Sequence, residues 1–310
     1  MEPTIKLKER FCKDRNLSIK IFEEPYFTNR LVLFDKAMPD KKIMAHWTEF
    51  VEYLSTIPTE DEYFTMYNKV KDDAINYLKN NEAYIHFNTR GHSNIKYEYS
   101  QRDIYNPTNI DRYMVSVDMK KANFSALQHY DKEIFNSKDT WEDFLSMFTD
   151  VKHIINSKYI RQVIMGNCNP GGQVAYEKEL MYKILKETID KASDMNFSVL
   201  SLSSDEIIFD VSNIKDNVNQ FINIIASISK TLDINVRIEP FSLKNTLTCT
   251  GYVYTRYVYD NYFNEIISKD YKCLNPLSAP AFLRNEIGEE PCDEDNVFVE
   301  GTSSRLAKFL

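Results

Sequence analysis

Three carboxylates stand out by their placement in this 310-residue chain. Asp118 closes the short apolar run YMVSVDM (113–119), and Asp205 and Glu206 form the polar centre of SVLSLSSDEIIFDV (198–211), between two apolar runs. Buried strands rarely tolerate an acid without a partner. If the two strands pair, these acids meet, and an all-oxygen donor set suits a hard divalent cation, Mg2+ or Mn2+. Transfer of a nucleotidyl or phosphoryl group uses two such cations about 4 Å apart, one activating the attacking oxygen and one holding the leaving pyrophosphate. Either acidic site alone reads better as structural, Asp205-Glu206 capping an exposed turn and Asp118 opening a helix. The two in sequence, with the loop Asn169-Pro170-Gly171-Gly172-Gln173 between them, favour the metal reading.

Such acids need a scaffold that fixes them. HWTEFVEYLSTI (46–57) and the stretch 60–81 place apolar residues at helical spacing, with Thr59 as an N-cap, so 1–83 reads as a helical lobe. Next, Ile85 and Phe87 alternate against Ile95, Tyr97 and Tyr99 about a turn at 89–92, which predicts a hairpin carrying Arg90 and Lys96 in a segment 84–112. Beyond it come a strand at 113–119, a capped helix at 139–155, KYIRQVIMG at 158–166, the Gly-rich loop 167–173 and a helix at 174–192. A hairpin at 198–211, a helix at 218–232, a strand at 234–241 and a strand pair at 248–259 follow. Strand, helices, hairpin, helix, strand is the order of an α+β fold whose antiparallel sheet is backed by helices. That unit spans 113–259, and 260–310 is left as a short C-terminal segment.

The run Val117-Asp118-Met119-Lys120-Lys121-Ala122-Asn123-Phe124-Ser125 resembles motif A of reverse transcriptases, in which a strand-end Asp precedes Ala, an aromatic residue and Phe-Ser. Asn169 to Gln173 before a helix is similar to their motif B, with Gln and Gly in a different order. Ser204-Asp205-Glu206 resembles the motif C hairpin, with Glu as the second acid and no Tyr. Lys244 falls where motif D offers a Lys near the leaving group, and Gly251-Tyr252 echoes the later primer-grip hairpin. The resemblance covers roughly residues 84–255, and only the ordered set carries weight.

What the resemblance implies is a palm-type, RRM-like sheet and a template-directed nucleotidyltransferase, of reverse transcriptase-like or RNA polymerase-like kind. Asp118, Asp205 and Glu206 would hold Mg2+ or Mn2+, with Lys244 assisting catalysis. Arg90 and Lys96 would grip the triphosphate as a fingers hairpin does, and Met119, Asn123, Phe124, Gly172 and Gln173 would line the nucleotide site. At Asn123 the family places a bulky ring that excludes the ribose 2′-hydroxyl, whereas RNA-dependent RNA polymerases place a polar residue there, which implies acceptance of ribonucleotides. The implied partners are nucleoside triphosphates and a nucleic-acid template and primer. With only about 50 residues after the last motif, the thumb is short, which implies a protein partner in its place. The resemblance is compatible with a viral or phage protein.

Two other functional classes share these residues. Ser-Ser-Asp-Glu-Ile in a hairpin also looks like the Gly-Gly-Asp-Glu-Phe turn of diguanylate cyclases, although Ser crowds a position where glycine lets backbone approach the nucleotide. A non-catalytic protein that keeps only a palm-like core is the other. Composition narrows the field further. A net charge of -8 argues against broad adhesion to nucleic acid, although Lys6, Lys8, Arg10, Lys13, Arg15 and Lys20 crowd one end and seven carboxylates lie between Glu286 and Glu300. No apolar run approaches the length of a membrane span, and no export segment is evident, so a cytoplasmic protein is expected. The five cysteines and five histidines show no zinc, disulfide or triad spacing. Tyr97, Tyr99 and Tyr105, interleaved with Lys96 and Arg102, form the group expected to contact a template.

Overall fold

The computed structural model describes residues 1–91, 99, 102–248, 250–290, 292 and 295, with the backbone of 297–299 and 302–304. The first stretch is helical, as its periodicity predicts: α1 (Ile5–Asp14), α2 (Phe27–Ala37), α3 (Ile43–Ser55) and α4 (Glu60–Asn80). Thr59 caps α4, its hydroxyl accepting from Glu62 N, and Glu60, Asp61 and Glu62 fill the first turn, where the helix dipole favours acids.

The expected hairpin at 84–99 is not found over its first arm, which is helix α5 (Glu82–Thr89). Asn81 caps it by accepting from Tyr84 N at 3.0 Å, and the buried pair is Tyr84 with Phe87, three residues apart, while Ile85 stays exposed. A short alternating run with a cap in front of it folds by its cap. The second arm, with Lys96 and Tyr97, lies outside the described residues.

The sheet begins with β1 (Met114–Met119), followed by α6 (Ala122–Tyr130), α7 (Trp141–Leu145), α8 (Lys152–Ile155), α9 (Lys158–Gly166) and α10 (Pro170–Lys191). The single helix expected over 139–155 is broken into α7 and α8. Between them the Ser146 hydroxyl donates to Asp143 O and the Thr149 hydroxyl accepts from Val151 N, local bonds that compete with helical ones. The Gly-rich segment is not an open loop either. Asn169 caps α10 by accepting from Gly172 N at 3.1 Å, and Pro170 takes the first helical position, where its missing N–H costs nothing.

β2 (Ser198–Leu202) and β3 (Glu206–Asp210) form the expected hairpin, α11 (Val218–Thr231) the expected helix, and β4 the expected strand. β4 runs much further than expected, over Val236–Thr248, and the predicted pair at 248–259 is one strand, β5 (Gly251–Tyr259), folded back on it. Gly251 sits at φ +117°, a conformation side chains resist, and so fixes the turn there. The C-terminal segment adds β6 (Ile266–Lys272) to the same sheet and α12 (Ala279–Glu286), so its first part extends the sheet instead of standing apart as a thumb. A small two-stranded sheet, β7 (Val297–Val299) with β8 (Thr302–Ser304), follows.

The main sheet is antiparallel in the order β2-β3-β1-β4-β5-β6. Side chains alternate between its faces. Val115, Val117, Met119, Ile207 and Phe209 point toward the helices, in one continuous core that also includes Leu7, Phe50 and Tyr63 of the first helices. Met114, Ile208, Phe241, Leu243 and Val258 point the other way and are covered by Ile104. A third cluster joins Leu33 and Ala37 of α2 to Phe282 and Leu283 of α12. Among the described residues no helix is long and apolar enough to cross a membrane.

A polar pin holds the helical region together. The Asp14 side chain at the end of α1 is fully buried and accepts from Tyr67 Oη (2.9 Å), Ser157 Oγ (2.6 Å) and His153 Nε2 (2.9 Å), joining α1, α4, α8 and the start of α9. Removing the acceptor strands three buried polar groups. Asp14→Ala is expected to lower unfolding free energy by about 3–5 kcal/mol in a urea titration; a loss below about 1 kcal/mol would show that water replaces the carboxylate.

Candidate active site

At one end of the sheet, register decides the chemistry. In the antiparallel pairings Asp118 lies opposite Glu206 on β3 and opposite Arg237 on β4, so two acids and a base sit side by side across three strands. The turn before Glu206 is tight: Ser203 N donates to Glu206 O at 2.8 Å, and Ser203 Oγ accepts from Glu206 N at 3.0 Å. Met119 N donates to Asp205 O at 2.8 Å, which ties the turn to the end of β1. The structure therefore brings Asp118, Asp205 and Glu206 to one end of the sheet. Lys121, at φ +49°, then turns the chain from β1 into α6, and its ammonium pairs with Glu142.

Like charges directly opposite on paired strands repel, and arginines answer the repulsion. Arg237 NH2 donates to Asp118 Oδ2 at 2.9 Å, and Arg237 Nε lies 3.4 Å from Glu239 Oε1. Arg256 NH2 donates to Glu239 Oε2 at 3.1 Å, and its NH1 lies 3.8 Å from Glu206 Oε1, which also accepts from Ser116 Oγ at 2.6 Å. Asp205 takes the Ser203 and Ser204 hydroxyls at 3.2 and 3.4 Å. Burial lifts the Asp118 carboxyl above the usual carboxylate range, Arg237 pulls it back, and Glu206 and Asp205 add to the lift. Desolvation and Arg161 lower the Lys158 ammonium at the start of α9, while Asp118 and Asp205 favour its charge, so a cation faces the acids from the helical side.

One further acid is close. Glu177 of α10 is 3% exposed, and Asn123 Nδ2 donates to its Oε1 at 3.2 Å. Burial, reinforced by Asp205, pushes its carboxyl up to about 7. A cleft of about 500 Å³ opens beside Glu206, walled by Arg102, Tyr105, Ser201 and Ser203. Another, of about 350 Å³, is lined by Ser125, His129, Lys230 and Asp233 and includes none of the three acids.

The remaining expected site residues are less central. Arg90, at the end of α5, pairs with Glu179 at 2.8 Å and stacks over Tyr176 at 4.3 Å, so it is held against α10 and is not a free triphosphate grip. Lys244 lies seven residues along β4 from Arg237, about 23 Å at ordinary strand rise, and over the Tyr257 ring, so it is remote from the acids. Met119, Phe124, Gly172 and Gln173 are buried in or beside the core; Gln173 Nε2 reaches Tyr84 Oη and Met165 O, each at 3.4 Å. Tyr105 and Arg102 do border the cleft, whereas Tyr97 and Lys96 lie outside the described residues.

For a divalent ion, the donor set offers oxygen only, as Mg2+ or Mn2+ requires, with Arg237 already bonding Asp118 and hydroxyls bonding Asp205 and Glu206. Among the described residues no three Asp, Glu, His or Cys side chains converge as a ready metal cage. Sequence reading missed Ser116, Glu177, Arg237, Glu239 and Arg256. Glu177 was within reach, since it falls on the stripe Gln173, Glu177, Leu180, Ile184 that α10 buries. Set against models of protein families, characterised proteins and solved structures, the chain matches none.

The raised Glu177 carboxyl makes a pH prediction. The folded protein keeps a proton that the unfolded chain releases around the ordinary value of 4.5, so folding stability falls as pH rises from there toward about 7 and levels off above. Glu177→Gln removes this dependence. Its stability advantage over the wild type should grow between pH 5 and pH 8 to on the order of 3 kcal/mol, measured by denaturant unfolding. A gap that stays constant with pH would show that Glu177 is ionised throughout.

Proposed function

We propose that the chain is a template-directed nucleotidyltransferase with a palm-type sheet, using divalent metal held by Asp118 and Asp205, with Glu206 beside them. The observation that carries this reading is the register that sets Asp118 across from Glu206, with Asp205 tied to the end of the same strand. The element order β1, helices, β2, β3, α11, β4, with strand order β2-β3-β1-β4, supports it, being that of a split βαβ unit with helices on one face. Its open face then carries the acids, as a site for a nucleic-acid end and a nucleotide demands. The cleft walled by Arg102 and Tyr105 offers a cation and a ring for a strand there.

The chain's own residues supply positioning and charge. Mg2+ or Mn2+, when bound, activates the attacking oxygen and stabilises the leaving pyrophosphate. Lys158, at the start of α9 and within electrostatic reach of Asp118 and Asp205, suits phosphate oxygens better than the ion-paired Arg90. Asn123, with its Nδ2 on Glu177, has an Oδ1 with no partner among the described residues, which can accept from a sugar hydroxyl.

A second reading, a non-catalytic palm-like protein, has one observation in its favour. Arg237 and Arg256 already neutralise the acids, as in a purely structural ion network. Primer extension with Mg2+ or Mn2+, on DNA and RNA templates and with both kinds of nucleotide, separates the two. Asp118→Ala and Asp205→Ala should each reduce incorporation to background in a folded protein, with Glu206→Gln less severe; wild-type activity in both Asp variants would sink the palm reading.

Sugar choice gives a further prediction. The wild type should use ribonucleotides at least as well as deoxyribonucleotides. Asn123→Tyr should shift the ratio of kcat/KM values toward deoxyribonucleotides by several-fold to several hundred-fold, from roughly 1–3 kcal/mol of discrimination. Strict refusal of ribonucleotides by the wild type would show that another residue guards the sugar.

A further inference from the structure

The two arginines at the acidic end differ in how firmly they are held. Arg256 is 10% exposed in its side chain, lies 4.0 Å over the Phe241 ring and bonds Glu239, so it is fixed. Arg237 is 54% exposed. Its NH2 bonds Asp118 and its Nε faces Glu239, while its other terminal nitrogen makes no bond to any described residue. An exposed pair of this kind contributes little and exchanges partners readily. Guanidinium is also the side-chain cation best shaped for phosphate.

We propose that Arg237 is a displaceable counter-ion. A divalent cation binding Asp118 takes its place, and the freed guanidinium, tethered at Glu239, becomes a ligand for phosphate oxygens of a polyphosphate held by that cation. The inference rests on the metal reading of Asp118 given above. Three features of the structure support the exchange over a fixed structural pair. Asp118 is the one acid of the set bonded by the exposed arginine. Glu239 is shared between both arginines, so Arg237 can leave Asp118 without losing its second partner. Both Asp118 and Arg237 lie on the sheet face opposite the helices, the face where a ligand has access. No covalent bond is made or broken in the exchange: the Arg237–Asp118 hydrogen bond is given up and the divalent cation takes its place on the carboxylate.

The test is direct binding, without turnover. Mn2+ binding is measured by calorimetry for the wild type, Arg237→Gln, Arg237→Lys and Asp118→Asn, with thermal melts to check folding. Removing the competing charge should tighten Mn2+ binding about three- to fivefold in Arg237→Gln, leave Arg237→Lys near the wild type, and have no effect when Asp118→Asn is also present. Inorganic tripolyphosphate added to the Mn2+-loaded proteins should bind about tenfold more weakly to Arg237→Gln. Equal Mn2+ affinity in the wild type and Arg237→Gln would overturn the exchange while leaving the metal reading intact. Equal tripolyphosphate affinity would overturn the phosphate role. Absence of Mn2+ binding in every protein would overturn the metal reading, and the exchange with it.

Discussion

Antiparallel pairing sets Asp118 directly across from Glu206, and the acidic end of the sheet is arranged around holding two carboxylates at that spacing. Neutral packing cannot do it, because side chains opposite each other on neighbouring strands are only about 5 Å apart at Cβ. The answer is a chain of alternating charge across four strands: Glu206 with Arg256, Arg256 with Glu239, Glu239 with Arg237, and Arg237 with Asp118. Ser116 adds a neutral donor to the same row. Each member is held by at least one other, so single charge changes should be felt along the whole row.

That row is affordable because the sheet is two-sided. Toward the helices its residues are apolar and closed against α6, α10 and α11, and this face supplies the rigidity. Toward the open side, the half nearest the acids is polar and the half beyond it is apolar under Ile104. A displacement of charge at one end therefore leaves the packed end untouched. The Asp14 pin does a similar service among the helices, fixing where α9 begins and hence where Lys158 and Arg161 stand.

Much of this was legible in the sequence, and the parts that were not have identifiable causes. The β2–β3 hairpin and α11 carried unambiguous periods, and Thr59 announced the start of α4. Residues 84–89 misled because a six-residue run fits two periods, and the Asn81 cap decided between them. The acids were found because a buried strand rarely carries an unpartnered carboxylate. Their arginine partners were not, because Arg237 meets Asp118 only through a strand register that no local pattern encodes. Lys244 was placed near the acids by sequence order alone, and an unexpectedly long β4 carries it away.

The contact between α2 and α12 joins segments far apart in the sequence: Leu33 and Ala37 bury against Phe282 and Leu283, and Lys36 pairs with Glu289 at 2.8 Å. On a ribosome adding on the order of 10 residues per second, the apolar side of α2 waits some tens of seconds for its cover. During synthesis the early helices thus carry an apolar surface that stays open until α12 has been made.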